Sequence, residues 1–190
     1  MSSSVEEIVV ATRDWVEKVV IGLNLCPFAK AVQVKNQIRY AVSTAVTTEA
    51  LHNDLRNELQ LLTAANPAEL DTTLLIHPYV LSDFLDYNNF LDVADSMLEE
   101  LNLIGEIQVA SFHPQYQFAG TQLNDIDNYT NRSPFPTLHL LREASIDRAV
   151  AAFPDAAEIF NKNIDVLRRL GYEGLREVGF TKAGKSEKNA

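Results

Sequence analysis

The sequence predicts an α/β fold: a single-domain sandwich with a three- to four-stranded central sheet flanked by helices, and a long ordered loop after the third strand. Three observations predict it. Apolar residues recur at helical spacing in segments longer than about ten residues, and short apolar or β-branched runs lie between them. The resulting order, α-β-α-β-α-β-loop-β-α-α, supplies crossovers long enough for parallel pairing. Finally, Ser111 to Glu143 carries a polar connection far longer than compact domains usually hold without a purpose.

Ser4-x-x-Glu7 reads as a capping box, followed by a stripe at Val5, Ile8, Val9, Trp15, Val16, Val19 and Val20. Gly22 suits an αL stop for this first helix. Pro27, as a favoured first helical residue, starts a short second piece. Ile38 to Val46 alternates and is β-rich, giving strand one. Thr47 or Thr48 caps the next helix, carried by Leu51, Leu55, Leu59 and Leu62 and broken at Asn66-Pro67. Thr72 to Ile76 is a short apolar strand ending at His77-Pro78.

Ser82 opens a long helix through Phe84, Leu85, Leu91, Ala94, Met97, Leu98 and Leu101, with Gly105 after it. Ile107 to Phe112 is the third strand, ending at His113-Pro114, and Thr137 to Leu141 the fourth. Ser145 or Asp147 begins one helix. Pro154 begins another, with Ile159, Phe160, Ile164, Leu167 and Leu170 along one face and Gly171 as its stop. No internal repeat breaks the chain into units, so residues 1–180 are expected as one domain. The last ten, TKAGKSEKNA, have the composition of a disordered tail.

Composition bounds the function. A 190-residue chain with 46% hydrophobic and 22% charged residues is ordinary for a soluble globular protein. Its net charge of −10 argues against nucleic acid and anionic membrane as partners, since both need a basic field. The N-terminus lacks the charged and apolar regions of a signal peptide, and no apolar run is long enough to span a membrane. The single cysteine, Cys26, excludes an intramolecular disulfide and fits a reducing compartment. A cytoplasmic location is expected.

The long loop holds the residues on which a site would be built. Tyr116, Phe118, Tyr129 and Phe135 are aromatics that disordered segments lack, so the loop is expected to be ordered. Arg132 supplies a planar fork for carboxylate or phosphate, and Asn128 and Tyr129 add neutral donors. A structural Ω-loop, with Arg132 paired to Asp125 or Asp127, is the competing reading. Asp125 and Asp127 also form a D-x-D pair suited to Mg²⁺ or Ca²⁺, but without the other oxygens of an EF-hand.

His77 and His113 end predicted strands, the place where open α/β sheets bind ligands. With Cys26 or His139 they have the donor types of a zinc site, though no zinc-finger or zincin spacing is present. The alternative for His77 is a strand cap bonded to a loop carbonyl. Cys26, if it caps the helix begun by Pro27, would gain thiolate character from the dipole and become a nucleophile. Its apolar neighbours Leu23, Leu25 and Phe28 point instead to an inert buried thiol. Arg142 and Glu143 read as a solvated pair at a strand end. No phosphate-binding glycine loop or nucleophile elbow occurs, and the sequence leaves any cofactor unknown.

These residues predict an enzyme or binder for a polar or anionic small molecule, at a site beneath residues 113–136. His113 would be acid/base or ligand, and Cys26 the nucleophile. Tyr116, Asn128, Tyr129, Arg132, His139 and Arg142 would line the site. A non-catalytic interaction domain and a metalloprotein are the alternatives.

Three segments, GLNLCPFA at 22–29, ASFHPQYQFAGT at 110–121 and NYTNRSPFPTLHLLRE at 128–143, together resemble the bacterial family of uncharacterised proteins known as DUF1415, also found in plants. The resemblance runs from about Val5 to Gly179. It implies a soluble, cytoplasmic, single-domain protein and brings no activity, cofactor or catalytic residue with it.

Overall fold

The computed structural model describes residues 3–151 and 158–180. The expected start of a helix at Pro154 and the expected tail at 181–190 lie outside the described residues. Helix α1 (Val5–Trp15) begins at a complete capping box. The Ser4 hydroxyl accepts from the Glu7 amide at 3.2 Å, and the Glu7 carboxylate accepts from the Ser4 amide at 2.8 Å. Two of the helix's unpaired N–H groups are thereby satisfied.

The rod then widens into a π-helical segment, Val16–Ile21, instead of stopping at Gly22 in an αL turn. Gly22 keeps right-handed dihedrals (φ −61°), and the left-handed residue is Asn24 (φ 54°). The glycine is needed for space. A Cβ there would lie 2.2 Å from the Lys18 carbonyl oxygen, because the wide turn brings that carbonyl inward. Helix α2 (Ala29–Val34) starts two residues after Pro27, with Phe28 at its N-cap position.

Four strands follow: β1 (Ile38–Val42), β2 (Thr72–Ile76), β3 (Ile107–Phe112) and β4 (Thr137–Arg142). They form one sheet in the order β1-β2-β4-β3. β1 pairs with β2 in parallel, while β4 is antiparallel to both β2 and β3. Strands β1, β2 and β3 therefore point the same way, and the residues that leave β2 and β3, His77 and His113, emerge on one rim. β1 ends at Val42, short of the expected Val46. The Ser43 hydroxyl donates to Asp54 at 2.6 Å and accepts from the Ala45 amide, which turns the chain towards the next helix.

Helices α3 (Thr48–Ala64) and α4 (Phe84–Glu100) cover one face. Leu51, Leu55, Leu59 and Leu62 of α3 are fully buried with Leu75, Leu138 and Leu140 of the sheet. Each such side chain stabilises the fold by roughly 1.5–3 kcal/mol. Asp83, not Ser82, caps α4, its carboxylate accepting from the amides of Leu85 and Asp86. The other face carries Tyr40, Leu74, Ile76 and Phe112 against Trp15, Val16 and Val19 of the first helix.

Helix α5 (Glu143–Ala151) follows β4 without a break, two residues before the expected Ser145. Helix α6 (Ile159–Glu177) is interrupted at Gly171 (φ 67°, ψ 177°), and helical turns resume beyond it. α6 packs on a 3-10 turn, Ile126–Thr130, in the middle of the long loop. No helix among the described residues is long and apolar enough to cross a membrane.

Candidate functional site

His77 and His113 meet on the rim through Tyr87 of α4. Its ring lies 5.7 Å from that of His77 and 5.0 Å from that of His113. The Tyr87 hydroxyl donates to the Thr137 carbonyl at 2.8 Å and accepts from the Phe112 amide at 3.1 Å, which ties the ends of β3 and β4 together. The His113 tautomer follows from its partners. The Gln115 amide can only donate, so Nδ1 accepts it at 3.0 Å and Nε2–H donates to the Leu81 carbonyl at 3.1 Å.

His77 Nδ1 donates to the Val80 carbonyl at 3.1 Å, and its buried Nε2 has no partner among the described residues. Burial pulls the His77 pKa down to about 4 and lowers that of His113, against the raising effect of their carbonyl partners. Both imidazoles are neutral at pH 7, and both nitrogens of His113 are engaged.

The loop is held by its own polar groups. Asn128 is fully buried; its Oδ1 accepts from the Phe118 amide (3.0 Å) and the Thr121 hydroxyl (2.8 Å), and its Nδ2 donates to the Gln122 carbonyl (2.7 Å). Asn131 donates to the Ser111 carbonyl. The Tyr116 ring packs 5.0 Å from those of both Phe84 and Phe118.

Arg132 is only 6% exposed. Its Nε donates to the Tyr116 carbonyl at 3.1 Å and Nη2 to the Leu123 carbonyl, while the guanidinium sits 4.6 Å from the centre of the Tyr129 ring. The two aspartates expected as its partners are occupied elsewhere. Asp127 makes a bidentate pair with Arg168 at 2.9 and 2.7 Å, and Asp125 accepts from the Gln122 amide. Arg132 thus has no carboxylate partner among the described residues, and its Nη1 has no protein acceptor there.

A cavity of about 720 Å³ lies between this loop and the first helix. Arg132, Tyr129, Ser133, Gln115 and Asn124 line the loop side; Trp15, Lys18 and Asp14 line the helix side. Lys18 and Asp14 are an exposed pair at 2.5 Å. The indole N–H of Trp15 is buried and has no acceptor among the described residues.

Cys26 and His139 border a different cavity, about 840 Å³, between the other end of the sheet face and helices α2 and α5. Burial raises the Cys26 pKa, against lowering bonds from the Phe28 and Ala29 backbone. Cys26 is not the N-cap of a helix begun by Pro27, because the six-residue helix begins only at Ala29 with Phe28 at its N-cap position. His139 is held at about 4 by burial. Arg142 also borders this cavity but is committed to structure. It donates to the carbonyls of Leu62, Ala65 (2.9 Å) and Leu70, capping the end of α3 instead of pairing in solvent with Glu143.

Among the described residues no group of three or more His, Cys, Asp or Glu side chains converges as a metal site. Trp15 and Lys18 were not singled out from the sequence as site residues. Trp15 sits on the apolar stripe of the first helix, where spacing marks it as core. Its one distinguishing sign is an N–H on an otherwise aliphatic stripe, a donor that a core must satisfy.

No curated protein and no solved structure matches the chain. A family model does, over residues 7–177, and its description is "Protein of unknown function (DUF1415)". With nearly its whole length matched, the chain belongs to the DUF1415 family.

Proposed function

We propose that this protein is a cytoplasmic binder of a small anionic molecule, a carboxylate or phosphate compound, in the cavity beneath the 113–136 loop. One observation carries the reading: a guanidinium 6% exposed, without a carboxylate partner among the described residues, borders that cavity with one terminal nitrogen free of protein acceptors. A buried charge is costly unless paired, and an anion at Arg132 Nη1 completes the pairing. Lys18 adds a second cation on the opposite wall, beside the Trp15 ring. The net charge of −10 repels polyanions but not a small anion held at a local cationic spot.

The geometry favours binding over proton-transfer catalysis at this place. His113 stands next to the cavity-lining Pro114 and Gln115, but both of its nitrogens are used in the fold. A concave cavity also suits a ligand better than the flat apolar patch of a protein-interaction surface.

The test is calorimetric titration with inorganic phosphate, citrate and acetate at low salt. Arg132→Lys retains the charge but not the planar fork, and is expected to weaken binding at least about tenfold while remaining folded. Lys18→Ala is expected to weaken it less, since Lys18 is solvated and paired to Asp14. If no anion binds, or if Arg132→Lys binds as tightly as wild type, the proposal fails.

A further inference from the structure

The cavity that holds His139 differs from the loop cavity in chemistry. Its walls are mainly carbon: Phe112, Leu74, Ala110 and Ile38 from the sheet, with Trp15 and Phe28 from the helical side. Its volume of about 840 Å³ lies within the range of small-molecule sites. Three of these walls are aromatic rings, which favour an aromatic guest through offset and edge contacts. Trp15 and Phe112 already meet edge-on at 5.3 Å.

The sheet also contributes Thr72, Gln108, His139 and Arg142 to the lining, with Lys35, Asp71 and Arg148 around it, and the hydrogen-bond state of His139 can be derived. The Thr72 hydroxyl has one proton, and it donates it to the Leu140 carbonyl at 2.6 Å. Towards His139 Nε2, 2.7 Å away, the same hydroxyl can therefore only accept. The ring carries its proton on Nε2, and Nδ1 is a bare acceptor without a partner among the described residues. His139 lies opposite Ala110 and Leu74 in the sheet register, in the middle of the apolar floor.

We propose that this groove binds a neutral aromatic molecule carrying one hydroxyl donor, a phenol, whose ring lies among Trp15, Phe28 and Phe112 and whose O–H donates to His139 Nδ1. The bare lone pair selects the guest. It accepts from a hydroxyl, gains nothing from an ether, and repels a carboxylate. This preference belongs to the floor at His139, and the proposal stands whether or not the loop cavity binds anions. Burial also keeps the imidazole neutral at pH 7, so the acceptor is present there.

The test is a matched series titrated into the full chain at pH 7: 4-ethylphenol, 4-ethylanisole and 4-ethylbenzoate. Apolar area is similar throughout, and only the polar group changes. The expected order is phenol tightest, anisole about tenfold weaker for the lost hydrogen bond, and benzoate weakest. The ¹⁵N resonance of His139 Nδ1 is expected to shift with 4-ethylphenol and not with 4-ethylanisole.

Ala110→Phe, which fills the floor beside His139 without removing a polar group, is expected to abolish phenol binding in a folded protein. Equal affinity for phenol and anisole would overturn the hydroxyl assignment. Failure of 4-ethylphenol to bind the wild type at millimolar concentration would overturn the site. Undiminished binding to Ala110→Phe would overturn its location.

Discussion

Two loop residues illustrate how one side chain can organise many others. Asn128 spends both ends of its amide on three partners, all within ten residues along the chain. Asn128→Ala leaves a buried amide and a carbonyl unsatisfied, and is expected to lower the unfolding free energy by about 2–4 kcal/mol in urea titration. A loss under 1 kcal/mol would mean that water replaces the amide without cost. Arg132 was legible in the sequence as the distinctive cation of the loop, but its partners were not. Nearby aspartates looked like its counter-ions, yet Arg168, far along the chain, takes Asp127, and only the fold reveals that exchange. Cys26 was ambiguous for the same reason, since its reactivity depends on burial. With its pKa raised, it is expected to react with iodoacetamide more slowly at pH 7.5 than an unfolded control, and to accelerate only at higher pH. Alkylation as fast as in the unfolded chain would show that the fold does not raise the thiol pKa.

Element boundaries were read well where a cap has a side-chain signature. Ser4 and Glu7 form the expected box, and the stripe of leucines in α3 is buried as its spacing requires. Reading failed where a boundary is set by crowding or by distant partners. Gly22 looked like a stop signal, but it allows a widened turn that has no sequence mark of its own. Gly22→Ala is expected to cost about 1–3 kcal/mol, because its Cβ must push the Lys18 carbonyl away. Unchanged thermal stability would rule out that packing role. Arg142 beside Glu143 suggested a solvated pair, whereas its guanidinium reaches across to the carbonyls that end α3, a contact between segments more than seventy residues apart. The long loop itself was legible as an ordered element. Its length, turn formers and aromatics marked it, and the buried Asn128, Tyr129 and Arg132 are what order it.

At the scale of the whole molecule, Tyr129 and Arg132 border one cavity and Cys26, His139 and Arg142 another, with Trp15 on the wall of both, while His113, Tyr116 and Asn128 line neither. This division could not be read from the chain, because the reversal of β4 places His139 away from the rim occupied by His77 and His113. The histidines also set a pH response. His77 and His139 have folded pKa values near 4, below the ordinary 6.5, and that of His113 is lowered too. Between the two values the unfolded chain binds more protons, so stability rises with pH there. It is fully present above about 6.5 and is lost as pH falls towards 4, by up to about 3 kcal/mol each for His77 and His139. Urea titrations at pH 7 and pH 5.2, above most carboxylate titration, should show the decline, and His139→Leu should flatten it. A pH-independent midpoint over this window would contradict the buried neutral state.

The anion cavity is the central claim, and diffraction from crystals soaked in sodium selenate tests it most directly, because selenium's anomalous signal locates the anion without assumption. The predicted result is a selenate peak with an oxygen about 3 Å from Arg132 Nη1, inside the cavity shared with Trp15 and Lys18. Selenate bound only at exposed surface cations, with the Arg132 cavity holding solvent alone, would contradict it.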